Sequence, residues 1–225
     1  MQPITVIFVT WNRREELFRT VEAYMRRVQY PRDLLTFHIA DDNSPEPYIQ
    51  DIIKEWPEYK WTYTVTNRKG WGCNVNTAIK AAQTDYIFIN EDDYVPQASF
   101  NLYKGIRVLE EIPDIGCIRY NHLMGHIGLK LRVEQTPSNT QYLRIIKAES
   151  EFLYVYSNRP HLQHRRFWET YGLYPEGLKL GETEEAYAKN VFSNPGPDVA
   201  ILYNGTVDYQ HIGKSFQLSE HDLGD

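Results

Sequence analysis

Asp85-Tyr86-Ile87-Phe88-Ile89-Asn90-Glu91-Asp92-Asp93-Tyr94-Val95-Pro96 is a short apolar run that passes through one asparagine into three acids and then a proline. An unbroken Tyr, Ile, Phe, Ile segment has the pattern of a strand covered on both faces of a parallel sheet, with polar residues beginning where it surfaces. Ligands of open α/β sheets bind beyond the carboxyl ends of the strands, which makes this end the place to look for a site. Carboxylates gathered there repel one another unless a cation or a donor-rich ligand compensates them. A hard divalent ion that also holds the phosphates of a nucleotide would do so. Taken alone, the stretch reads equally well as a solvated acidic turn closed by Pro96.

Working outward, the same alternation recurs on both sides. Residues 4–10 form a β-branched strand ending in Trp11-Asn12-Arg13, and a helix is expected over 13–29, with Leu17, Val21, Met25 and Val28 at steps of three and four. A strand over 34–40 opens onto Asp41-Asp42-Asn43-Ser44-Pro45, and a helix over 47–56 follows. A third strand, 61–66, leads into Asn67-Arg68-Lys69-Gly70-Trp71-Gly72 and a helix carrying Val75, Ile79 and Ala82. Residues 99–112 read as a helix and 115–120 as a strand. Strands alternating with helices predict βαβ units and a doubly wound, mostly parallel or mixed α/β sheet of Rossmann-like type in a single domain.

After residue 120 the period changes. Strands are expected at 129–133, 142–146 and 151–156, helices at 161–171 and 182–192, and short strands at 199–203 and 207–211. The domain is read as 1–225, in a first half, 1–115, whose polar loops would hold a nucleotide, and a second half, 116–225, where an acceptor would dock.

A chain of 225 residues with 42% hydrophobic content can build a sizeable core. Its net charge of −6 argues against a nucleic-acid partner, which needs a basic surface. No apolar run reaches the roughly 18 residues of a transmembrane segment, and the N-terminus lacks signal-peptide order, so a cytoplasmic or membrane-peripheral location is expected. Cys73 and Cys117 sit in unrelated segments and read as free thiols. The aromatic load, with 17 tyrosines and 5 tryptophans, is a faint hint of base or sugar stacking.

Taken together, these motifs resemble the nucleotide-sugar glycosyltransferases of the A-type (GT-A) fold, specifically the inverting family 2. Val6 through Arg13 is similar to that family's opening motif, with Trp11 in place of its usual tyrosine, and Asp41-Asp42-Asn43-Ser44 is similar to its second. Asn67 through Asn76 resembles its glycine-rich turn and helix, and Asn90 through Pro96 its metal-binding Asp-X-Asp stretch. No piece is specific alone; four in order carry the resemblance, which covers residues 4 to about 192.

The resemblance implies a donor site of Thr10, Trp11, Asn12, Arg13, Asp41, Asp42, Arg68, Lys69, Gly70, Asn76, Asn90, Glu91 and Lys214. Within it an indole offers Trp11 a stacking face, Asp42 would accept a hydrogen from a uracil ring, and Arg68 or Lys69 would neutralise diphosphate. Each has a plainer alternative: a packed indole, turn chemistry, solvated charge. The implied cofactor is Mn²⁺ or Mg²⁺, held first by Asp92, with Asp93 beside it and His211 as a late ligand. Asn90 stands where the family has its first aspartate, and an amide supplies no charge to a cation.

An inverting enzyme needs one carboxylate to take the acceptor's proton. Gly181-Glu182-Thr183-Glu184-Glu185-Ala186 is where the resemblance places it, and two registers fit. One makes Glu185 the base; the other puts Thr183 there, which cannot serve. Glu185 is preferred, with Glu184 and Glu182 behind it, although acids at a helix start are ordinary dipole partners. The implied partners are a nucleoside diphosphate sugar, UDP-linked by preference, and a carbohydrate, lipid-linked or protein hydroxyl. A retaining transferase and a non-catalytic sugar- or nucleotide-binding module are the rival readings.

Overall fold

The computed structural model describes residues 1–120, 128–151, 155–202 and 209–213. The chain runs through β1 (Ile4–Thr10), α1 (Arg14–Arg27), β2 (Val28–Gln29), β3 (Leu35–Asp41), α2 (Ile49–Glu55), β4 (Lys60–Val65), α3 (Gly70–Ala81) and β5 (Tyr86–Glu91). It continues through β6 (Tyr94–Pro96), β7 (Phe100–Asn101), α4 (Leu102–Glu111), β8 (Ile115–Arg119), β9 (Leu131–Gln135) and β10 (Gln141–Ile145). The remaining elements are β11 (His161–His164), α5 (Arg165–Tyr171), α6 (Leu180–Ser193), β12 (Asp198–Leu202) and β13 (Tyr209–His211).

Nine strands form one sheet in the order β4-β3-β1-β5-β11-β8-β12-β10-β9. β1 lies parallel between β3 and β5, and β4 extends the parallel set at the edge. β12 is parallel to β8, while β11 and β10 run against their neighbours, so the sheet is mixed.

Both faces of the central strands are covered, as their unbroken apolar runs require. Ile4, Val6 and Phe8 join Tyr86 and Phe88 in a core that Leu17, Val21 and Tyr24 of α1 and Ile106 and Leu109 of α4 complete. The alternate residues Ile7, Val9, Ile87 and Ile89 pack on the opposite face with Val75 and Ile79 of α3, Phe167 of α5 and Tyr187 and Val191 of α6. One strand thus feeds two cores, because successive side chains point to opposite faces.

Three expectations change. The helix expected from His161 begins only at Arg165; His161–His164 is instead a buried strand in the middle of the sheet, antiparallel to β5 and β8. Its polar residues hid it, since His161 and Gln163 are fully buried but bonded: Gln163 Nε2 lies 3.0 Å from the Tyr174 hydroxyl and 2.9 Å from His161 Nε2. The helix expected from residue 99 starts at Leu102, where the Asn101 side chain accepts from the Tyr103 amide at 2.8 Å and so caps it. Of the strand expected at 151–156, residues 152–154 fall outside the described residues, and neither Glu151 nor 155–156 is in a strand.

The parallel strands β1, β3, β4 and β5 all end at one edge. The loops that follow them therefore meet there, and they are the four polar clusters of the sequence.

Candidate functional site

Asp92 and Asp93 follow β5 directly and are both buried. Asp92 is turned into the protein: its Oδ2 accepts from Thr10 Oγ1 at 2.7 Å, and its Oδ1 lies 3.3 Å from Nη1 of Arg13. Its backbone is held as well, the amide by the Val9 carbonyl at 3.0 Å and the carbonyl by Thr20 Oγ1 at 2.6 Å. Asp93 faces the other way. Arg13 Nη1 and, at 3.1 Å, His211 Nε2 both reach its Oδ2, while its Oδ1 is buried with no partner.

The segment carrying His211 is clamped onto the acids. β13 pairs with β6, placing His211 opposite Tyr94, and the Ile212 amide donates to the Asp93 carbonyl at 2.8 Å. A Cβ at Gly213 would collide with the Asp93 carboxylate, so the close approach requires glycine.

Charge is crowded here. Burial, followed by the neighbouring Asp93, Asp92 and Glu184, pushes the Glu91 carboxyl well above the usual range, with Arg13 opposing. Burial likewise raises Asp92 to about 7; Arg13 pulls it down and Asp93 pushes it further up. Glu91 Oε1 and Asn90 Oδ1 are also buried without partners, while Asn90 Nδ2 donates to the carbonyls of Glu91 at 2.6 Å and Tyr94 at 3.0 Å. Asn90 therefore closes the turn that presents the acids.

A divalent cation would relieve this crowding, and part of a donor set is present. The unpartnered Asp93 oxygen and the His211 imidazole are two ligands suited to a Mn²⁺-like ion. Among the described residues no group of three His, Cys, Asp or Glu side chains is gathered to hold a metal by itself. The two donors fit an ion that completes its shell with phosphate oxygens and water, as Mg²⁺-type phosphate sites do. Asp93 rather than Asp92 has an unpartnered oxygen for that part.

On the far side of β1, Asp41 closes its own turn, with its Oδ2 accepting from the Ser44 amide at 3.0 Å and its Oδ1 from the Ser44 hydroxyl. Ser44 Oγ in turn accepts from the Asn12 amide at 2.8 Å, locking the first loop to the second. Asp42 caps α3: its Oδ1 accepts from Thr66 Oγ1 at 2.6 Å and the Lys69 amide at 2.9 Å, and its Oδ2 from the Gly70 amide at 2.9 Å. A carboxylate has about four acceptor directions, which leaves Oδ2 room for one further donor. The guanidinium of Arg68 sits 3.6 Å from the Trp11 ring centroid.

Asn76 is engaged elsewhere. Its amide bonds both the N–H and the C=O of Tyr174, at 3.0 and 2.9 Å, and Glu176 at 2.9 Å, tying α3 to the segment before α6. Gly72 serves that same junction, since a Cβ there would run into the Pro175 carbonyl.

At α6 the three glutamates separate. Glu182 is exposed and reaches back to the Lys179 amide at 3.2 Å, which is a helix-capping role. Glu185 is exposed. Glu184 is half-buried; its Oε1 accepts from the Asn158 amide at 2.9 Å, and its charge acts on Glu91, Tyr94, Tyr174 and Arg119. Helical spacing carried the signal, because Glu184 shares a stripe with the buried Tyr187, Ala188 and Val191. Asn158 and Arg119 carry no such signal. Asn158 is buried with neither side-chain polar atom partnered, and burial lowers Arg119 to about 10. Lys214 lies outside the described residues.

Comparison with known proteins gives the family and the fold. The family model for glycosyl transferase family 2 matches residues 5–166. Beta-1,4 N-acetylgalactosaminyltransferase 1 of Mus musculus is 34% identical over 110 residues, which is 49% of this chain and 19% of that protein. Among solved structures, residues 1–349 of S. aureus TarS in complex with UDP-GlcNAc superpose with a TM-score of 0.67 at 15% identity, over 95% of this chain and 61% of that one. GalNAc-T7 with UDP, GalNAc and Mn²⁺ superposes with a TM-score of 0.65 at 14% identity, over 94% of this chain and 44% of that one. The chain thus spans about a fifth of the sequence relative and less than two thirds of these structures. No helix among the described residues is long and apolar enough to cross a membrane.

Proposed function

The chain belongs to glycosyl transferase family 2, and from that premise we propose that it transfers a sugar from a nucleoside diphosphate donor, UDP-linked, to a hydroxyl acceptor with inversion. The observation that carries this reading is the acid cluster closed by Arg13 and His211, which leaves a buried, unpartnered Asp93 oxygen at the carboxyl edge of the sheet. The 1–115 half then holds the nucleotide and the 116–225 half supplies the acceptor side.

In this scheme Trp11, the free direction of Asp42 Oδ2 and the Asp41 turn receive the nucleoside, and Arg13, Arg68 and Lys69 face the diphosphate. Asp93 and His211 would hold Mn²⁺ or Mg²⁺. When bound, that ion acts as a Lewis acid that neutralises the departing diphosphate. Glu184 is assigned the base because it alone of the three helix glutamates turns toward Glu91 and Asn158. The acceptor oxygen attacks the anomeric carbon on the face opposite the diphosphate, the carbon–oxygen bond to phosphate breaks, and the acceptor proton passes to Glu184.

The test is release of free UDP from a panel of UDP-sugars, with and without EDTA, followed by NMR of the product's anomeric configuration. Metal-dependent release and an inverted product are expected. No turnover despite tight UDP binding would instead identify a binding module, and a retained configuration would reject Glu184 as a simple base.

A further inference from the structure

Arg68 occupies an unusual position for a charged residue. Its backbone lies at φ +52°, in the left-handed region that favours glycine. It is held there from both sides, because Thr66 Oγ1 and the Lys69 amide both bond Asp42 and the Thr66 amide donates to the Asp41 carbonyl at 2.9 Å. With the backbone anchored, the side chain is the part left to move. It is exposed and makes no ion pair or hydrogen bond among the described residues; its guanidinium is laid over Trp11.

Trp11 follows β1 and Arg68 follows β4, two strands away across β3. The stack therefore spans the Asp41–Ser44 turn. The indole N–H of Trp11 is buried and has no acceptor. An aromatic face suited to a nucleobase is thus covered by a cation suited to a phosphate, and the two attractions compete for the same group.

We infer that Arg68 is a positioning residue that covers the Trp11 face until a nucleotide arrives, and then exchanges the indole for the diphosphate as the base takes its place. This rests on the nucleotide-donor reading above and adds to it a coupling: base occupancy and phosphate neutralisation happen together. A nucleoside without phosphates must displace Arg68 with nothing to receive the charge. A nucleoside diphosphate supplies the receiver, which favours donors over free nucleosides.

The discriminating experiment measures binding of UDP and of uridine by ligand-observed NMR titration to wild type, Arg68→Gly and Arg68→Lys. Glycine removes the guanidinium without asking a Cβ to adopt the left-handed backbone. For Arg68→Gly, UDP is expected to weaken about tenfold, the loss of one charge-assisted contact, while uridine tightens about two- to fivefold, the scale of an exposed cation–π contact. Arg68→Lys should keep UDP within about threefold of wild type and still gain uridine, because an ammonium lacks the planar stack. Parallel losses of UDP and uridine in Arg68→Gly would make Arg68 a stacking platform and overturn the inference, as would uridine binding that does not rise. Wild type that takes up neither probe would sink the nucleotide-donor reading itself.

Discussion

Nε2 of His211 lies 3.1 Å from Oδ2 of Asp93, joining residues 118 positions apart at a carboxylate whose other oxygen is buried and unpartnered. Asp93 and His211 are therefore expected to govern metal affinity, and Asp92 much less. Asp93→Asn and His211→Ala should each raise the Mn²⁺ concentration for half-maximal UDP release by roughly tenfold or more, in the range that ligand-shell changes produce. Titration of Mn²⁺ into EDTA-treated protein reads this directly. Equal activity of wild type and both variants at limiting Mn²⁺ would remove the pair from the metal site.

Glu184→Gln is expected to lower kcat about 10²- to 10⁴-fold with little change in UDP affinity, because a general base acts only as the acceptor oxygen attacks. Glu185→Gln, at an exposed position, should stay within about threefold of wild type. A reversed pattern would return the base to Glu185 and imply that α6 rotates when substrate binds.

Asn76→Ala tests structure against ligand binding. The variant leaves the Tyr174 amide and carbonyl without partners at a site only 1% exposed, and should cost about 2–4 kcal/mol of stability in urea denaturation. Its UDP dissociation constant should be unchanged while the protein remains folded. A selective loss of UDP affinity with no loss of stability would restore Asn76 to the donor site.

The buried rings of His38 and His161 are held neutral, burial lowering each to about 4. Their unfolded values lie near 6.5, so between about pH 4 and 6.5 the unfolded chain binds more protons, and stability falls as pH drops through that window. Each ring contributes on the order of 1–3 kcal/mol that is fully present above about pH 6.5. The raised Asp92 and Glu91 act in the opposite sense, favouring the folded state at lower pH. The comparison must therefore be made against a variant: urea midpoints at pH 7.5 and pH 5 should converge more for His161→Gln than for wild type. An identical pH dependence in the two proteins would refute the assignment for that ring.

The βαβ half of the chain could be read directly. In residues 4–10 and 86–89 a continuous apolar run announces a strand covered on two faces, and Leu17, Val21 and Val75, Ile79 mark the helices that cover it. β11 could not, because its buried His161 and the Gln163 Nε2 are bonded by Tyr156 and Tyr174, partners that no local pattern reveals.

From the order of residues alone came the doubly wound arrangement and the meeting of four polar loops at one sheet edge, since burial period and strand ends are local properties of the chain. Tertiary structure decided which group in each loop is open. Asp92 turns to Thr10 while Asp93 turns to His211, Asp42 caps α3, Asn76 binds Tyr174, and Glu184 rather than Glu185 faces inward. Adjacent residues differ in direction by about half a turn in a strand and 100° in a helix, so chemically identical neighbours are told apart only by partners that folding brings from distant segments.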